Sequence, residues 1–160
     1  MSSILERFDL TAFLQQQARD VFNTMASLEV QPAPGPNGLA TEERITGVVG
    51  LGGENITGAV YLHMPIGLAE QITRQMLGME PADPLEESAV NDVTGELTNM
   101  LAGGLKSALC DRGLVCAVST PTIIRGSSYE IEVLPDVQHN VLDLTASGQP
   151  LQVEVHLKEG

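Results

Sequence analysis

Glu96 and Asn99 stand three residues apart, with Asp92 one turn before them and Gly103 one turn after. They sit in the run Asp92-Val-Thr-Gly-Glu96-Leu-Thr-Asn99-Met-Leu-Ala-Gly103-Gly-Leu-Lys-Ser-Ala-Leu109. On a helix turning about 100° per residue these polar and small positions share one side, while Val90, Val93, Leu97, Leu101, Leu105 and Ala108 share another and face a core. Spacing alone leaves two readings. A Glu and an Asn at i, i+3 are commonly just a solvated helix face. The same stripe could also be a ridge that another protein's surface approaches closely. Gly103 and Gly104 favour the ridge, because each costs about 1 kcal/mol relative to Ala inside a helix and so calls for a packing or access reason.

Other chemistry finds little support. The glycines at 47, 50, 52 and 53 are followed by a second β-type run, whereas a dinucleotide-binding GxGxxG must lead from a strand into a helix. Gly103, Gly104, Lys106 and Ser107 resemble a phosphate loop in composition, but Lys106 does not follow a glycine and the stretch lies inside the helix. Ser127 and Ser128 lack a GxSxG frame. His63, His139 and His156 fall on different strands without an i, i+4 pair or a carboxylate cluster nearby, so they are expected to be half-exposed strand residues with no metal-ligand role. Cys110 and Cys116 match neither a CxxC redox pair nor a zinc spacing and read as buried, reduced thiols.

The whole chain of 160 residues carries 21 acidic against 8 basic side chains, a net charge of −13. That excludes charge-driven nucleic-acid binding, and with 2 Tyr, 3 Phe and no Trp there is no aromatic platform for bases. The early charges Glu6, Arg7, Asp9, Arg19 and Asp20 interrupt any secretory signal, and no apolar run has bilayer length, so a soluble cytoplasmic protein is expected.

The elements that must position the ridge form a single expected domain over 1–160: a helix over about 10–28, a Pro/Gly connector over 30–39 and a core over 43–158. Asp9 is the expected cap of the first helix. A hairpin over Ile45–Leu51 and Ile56–Met64 turns through Gly52, Gly53, Glu54 and Asn55, read as supplying positive φ. Pro65 opens a short helix that Gly78 stops. The long helix, about 84–110, is read as beginning at an Asp83 cap with Pro84 and Glu86 behind it, and as crossing the sheet. Strands follow at Leu114–Ser119, Thr122–Arg125, Val137–Thr145 and Leu151–Leu157, the last two joined by a turn over Ser147–Pro150. The class is α/β or α+β, with three helices on one side of a mainly antiparallel sheet of about six strands.

The run from Thr94 to Leu109 resembles the signature helix of the CheX family of chemotaxis response-regulator phosphatases, relatives of CheC and of the flagellar switch proteins. The Gly47–Met64 hairpin ending in Met64-Pro65, the short helix, and Ser119-Thr-Pro-Thr-Ile-Ile-Arg-Gly126 occur in the matching order. CheC-type proteins carry the acid/amide motif twice. Here the short helix has Glu70 followed by Thr73 rather than Asn, so one motif remains and the resemblance favours CheX.

The resemblance implies hydrolysis of the aspartyl phosphate of a CheY-like receiver. Asn99 would orient the attacking water and Glu96 would anchor the receiver's lysine. Asp92, Met100, Gly103 and Pro121 would line the partner surface. It implies no cofactor of the chain's own, since Mg2+ belongs to the receiver, and a homodimer with joined sheets in which Leu151–Leu157 could take part. A non-catalytic receiver-binding module related to the switch proteins is the alternative. A small-molecule enzyme has no nucleophile, metal cluster or phosphate loop in its favour.

Overall fold

The computed structural model describes residues 3–34, 39 and 43–160. The connector residues Gly35, Pro36, Asn37 and Gly38 lie outside the described residues. Three α-helices, α1 (Leu10–Ala26), α2 (Ile66–Leu77) and α3 (Glu87–Asp111), accompany seven strands: β1 (Val30–Pro32), β2 (Arg44–Gly52), β3 (Ile56–Pro65), β4 (Ala117–Val118), β5 (Thr122–Gly126), β6 (Gln138–Ala146) and β7 (Gln149–Glu159). Every pairing is antiparallel, in the order β1-β6-β7-β3-β2-β4, and β5 also pairs with β2.

The additional strand is β1, which begins the expected connector. Its Pro32 has no N–H to offer a second neighbour, and β1 lies at the sheet's edge, where proline is tolerated. In contrast β7 is flanked by β6 and β3 along its length, so the expectation that Leu151–Leu157 joins a second subunit's sheet fails: both its hydrogen-bonding edges are already used. Among the described residues the open edges belong to β1, to residues 138–142 of β6 beyond the reach of β1, and to β4 and β5.

Local chemistry accounts for most element ends. Asp9 caps α1, its Oδ1 accepting from the Ala12 N–H at 3.1 Å. Gly78 ends α2 with φ 67°, the left-handed conformation that glycine adopts freely. Asp83 does not cap α3, because its carboxylate accepts the Glu80 N–H at 2.8 Å and closes a turn over 80–83. The helix starts later, with Glu86 at the cap position and its side chain making no capping bond to the helix backbone. At the β2–β3 turn none of residues 52–55 takes a positive φ. Gly53 is required instead by proximity, since a side chain there would run into the Val115 carbonyl.

One apolar cluster joins the helices to the inner face of the sheet, including Phe22 from α1, Leu68 and Ile72 from α2, Leu97, Leu101 and Leu105 from α3, and Leu151, Val153 and Val155 from β7. The helices share the inner face: α1 packs against β1 and β6, and α3 against β2, β3, β4 and β5. Cys116 is buried and Cys110 half-buried, both as free thiols. Among the described residues no helix is long and apolar enough to cross a membrane.

α3 comes close to the sheet at Gly47, where a Cβ would collide with the Thr98 side chain and lie 3.2 Å from the Thr94 carbonyl. Thr94 and Thr98 are fully buried, and their hydroxyls donate to the carbonyls of Val90 and Thr94 at 2.8 and 2.7 Å. No hydroxyl is left unpaired by this burial. Gly47→Ala should therefore destabilise the fold by about 1–3 kcal/mol through overpacking, although alanine is otherwise the better strand residue. A lowered denaturant midpoint with unchanged m-value would show it, and an unchanged midpoint would refute the contact.

Candidate functional site

With Thr94 and Thr98 held against β2, the opposite side of α3 has to face outward. Asp92 and Glu96 are exposed, and Asn99 and Gly103 are half-exposed. Among the described residues the Asp92, Glu96 and Asn99 side chains make no hydrogen bond or ion pair. The space that a Gly103 side chain would occupy is empty out to 4 Å.

The two borders of this stripe differ. On one side the Pro121 ring lies over Gly95, 3.3 Å from where a Cβ would be, so the exposed proline sits one residue from Glu96 and one turn from Asn99. Arg125 of β5 secures that border, its Nε donating to Asn91 Oδ1 at 2.8 Å and its guanidinium reaching the Glu87 carbonyl at 3.3 Å. On the other side Gln17 of α1 occupies the space above Gly104 and donates to the Met100 carbonyl at 3.4 Å. The two neighbouring glycines thus have separate reasons: Gly104 admits the chain's own α1, and Gly103 leaves the ridge bare. The structure groups Asp92, Glu96, Asn99, Gly103 and Pro121, while Met100 turns partly inward and packs against the core.

A second constellation occupies the outer face of the sheet, and here the sequence reading needs correcting. His63 and His156 are buried at 1% and 8% exposure rather than half-exposed, and all three histidines converge on Glu154. His63 Nε2 lies 2.9 Å from Oε1, and His139 and His156 Nε2 lie 2.7 and 2.8 Å from Oε2. An ionised carboxylate only accepts, so each Nε2 donates. Behind them the Thr46 hydroxyl is 2.7 Å from His63 Nδ1 and also bonds the Tyr129 hydroxyl.

Register produces this cluster. Glu154 and His156 are two apart on β7 and share a face, His139 lies directly opposite His156, and His63 lies opposite Gln152, diagonal to Glu154. The missed signal was the turn. Ser147 and Gly148, with φ 51° and 74°, form a two-residue turn that pairs Ala146 with Gln149 and, counting back, His139 with His156. Placing Pro150 in the turn shifts that register. Burial pushes the Glu154 carboxyl up, but the bonds from His63, His156 and His139 outweigh it and hold the group at about 2 against an ordinary 4.5.

The chain matches the family described as Chemotaxis phosphatase CheX over residues 45–145. The chemotaxis protein CheX from Vibrio vulnificus is 26% identical with a TM-score of 0.79, the match covering 95% of this chain and 98% of that one. A CheC-like superfamily protein from Shewanella sp. PV-4 is 25% identical, with a TM-score of 0.77 and coverage of 99% of each chain. The CheX–CheY–BeF3–Mg2+ complex from Borrelia burgdorferi matches at 19% identity and a TM-score of 0.66, covering 94% of this chain and 99% of that one, a likeness of fold. No curated protein matches the chain in sequence.

Two outcomes follow from the geometry. Because they lack partners, Glu96→Ala and Asn99→Ala should each leave unfolding free energy within about 0.5 kcal/mol of the parent. A larger loss would mean that these side chains hold the fold. For Glu154 the folded state gives up its proton more readily than the unfolded chain, so its contribution is complete above about pH 4.5 and disappears as pH falls towards about 2. The stability difference between the parent and Glu154→Gln should shrink across that window. A difference independent of pH would contradict the hydrogen-bonded carboxylate.

Proposed function

The chain belongs to the CheX family of chemotaxis phosphatases, and from that premise we propose that it hydrolyses the aspartyl phosphate of a CheY-like receiver domain. The observation that carries this reading is the outward stripe of α3: Glu96 and Asn99 are unpartnered and flanked by the bare backbone at Gly103 and by Pro121. The Borrelia burgdorferi relative forms its complex with CheY, BeF3 and Mg2+, which supports a receiver as the partner here.

In this reading the receiver brings the phosphoaspartate, a lysine and Mg2+, and the chain brings no cofactor to the step. Water adds to phosphorus in line with the departing aspartyl oxygen, giving inorganic phosphate and a free aspartate. Little covalent work is left for a phosphatase, so positioning and electrostatics carry the acceleration. The Asn99 carboxamide suits this because it both donates and accepts, and its neutrality avoids repelling the phosphoryl group. Glu96, one turn back, pairs with the receiver's lysine and sets the angle at which α3 enters. Pro121, braced on Gly95, lines the partner surface with Asp92 and Gly103. Met100, packed partly inward, supports the helix from beneath. The net charge of −13 gives the phosphoryl group no general attraction, so docking has to come from these local contacts.

A homodimer belongs to the same reading, with β1, residues 138–142 of β6, β4 or β5 as the edges available for joining two sheets. Action in the cytoplasm, where such a receiver works, belongs to it as well.

The test is the lifetime of the phosphoaspartate in a CheY-like receiver, with and without the protein. The parent should shorten it, and Asn99→Ala should lose about a hundredfold or more of that acceleration while still binding the phosphorylated receiver. Glu96→Ala should weaken binding as well. Binding without any change in lifetime would favour the non-catalytic receiver-binding module, and full activity in both variants would remove Glu96 and Asn99 from the mechanism.

A further inference from the structure

The three helices all lie on the inner face of the sheet, and the outer face carries a polar cluster that receiver dephosphorylation does not use. Its centre is Glu154, 7% exposed, whose Oε2 receives His139 from β6 and His156 from its own strand. The two imidazole nitrogens and a carboxylate oxygen lie within 4.8 Å of one another. His139 and His156 occupy directly opposed strand positions and Glu154 lies two residues before His156 on β7, so the backbone ladder fixes their spacing before any ion arrives. We propose that His139, Glu154 and His156 form a binding site for a divalent transition metal of the zinc, cobalt or nickel kind.

The donor set selects that class. Two imidazoles and one carboxylate suit borderline ions that bond these groups at about 2.0–2.2 Å. Magnesium prefers an octahedron of oxygens, so this site is distinct in kind from the ion expected in a receiver. Three protein ligands leave coordination positions open. His139, with its side chain 32% exposed, turns them towards solvent, which makes the site an exchangeable one rather than a closed structural one.

Binding asks little of the protein. Each Nε2 must give up its proton to bond a metal, and Nδ1 can take it, because neither His139 Nδ1 nor His156 Nδ1 has a hydrogen-bond partner among the described residues. The second carboxylate oxygen is already held by His63, itself backed by Thr46 and Tyr129, the kind of outer support that orients a metal-ligating carboxylate. Arg44 shares a cavity of about 220 Å³ with His63 and Glu154, yet it does not pair with Glu154. Its guanidinium bonds the Tyr129 carbonyl and lies 4.1 Å from the Tyr129 ring centre.

The experiment is calorimetric titration of the tag-free full chain with ZnCl2 in a non-chelating buffer, together with the visible absorption spectrum of the Co2+ form. One equivalent should bind per chain and raise the thermal unfolding midpoint, since an ion bridging β6 and β7 stabilises only the folded state. His139→Asn and His156→Asn should abolish the cobalt spectrum. His63→Gln, which keeps all three ligands, should weaken binding about 10–100-fold. Glu96→Ala and Asn99→Ala should bind Zn2+ as the parent does, so the result is independent of the dephosphorylation reading. Absence of saturable binding to the parent would overturn the proposal. So would undiminished binding in both histidine variants, which would place the ion elsewhere.

Discussion

The polar ridge of α3 depends on how that helix is rotated, and the rotation is set where the Thr98 side chain meets the bare backbone of a strand glycine. Gly47 lets the Thr98 side chain seat directly on β2. Two buried threonine hydroxyls satisfied within their own helix make the contact possible in an apolar layer. Turning the helix by one residue would drive Glu96 or Asn99 into the core and expose leucines. An amphipathic stripe alone would allow some slack, but the glycine contact removes it.

The same economy explains the glycines along α3. Gly95 receives Pro121, Gly104 receives Gln17, and Gly103 receives nothing. The first two hold the flanking segments against the helix, and between them lies a polar strip of backbone with room above it. A neutral carboxamide in that strip fits a chain of net charge −13, because a carboxylate in its place would add one more repulsion towards a phosphoryl group. Catalysis by positioning requires such rigidity: a water-orienting group on a loosely docked helix would lose most of its effect.

The two faces of the sheet have separate chemistries. On the inner face β7 presents Leu151, Val153 and Val155 to the helices, and on the outer face Glu154 and His156 join the imidazoles of neighbouring strands. Burial of a carboxylate is costly unless it is fully bonded, and three donors on one Glu154 meet that requirement. The open edges of the sheet lie at β1, at residues 138–142 of β6 and at β4 and β5, so His139 stands on an edge stretch while Glu154 and His156 stand on a strand paired on both sides.

The ridge was legible in the sequence because helical periodicity is local: the spacing of Val90, Val93, Leu97, Leu101 and Leu105 already separates a core face from one bearing Glu96 and Asn99. The β2–β3 hairpin and the Gly78 stop were legible for the same reason, as features spanning a few residues. Asp83 carried an ambiguous signal because an aspartate can close a turn as readily as it caps a helix, and only the fold shows that it takes the Glu80 N–H. The position of β7 between β6 and β3, the seating of Thr98 on Gly47 and the meeting of three histidines at Glu154 were decided by tertiary structure. These depend on strand order and register, which bring together residues as far apart as His63 and Glu154, 91 positions along the chain, and which no local pattern encodes.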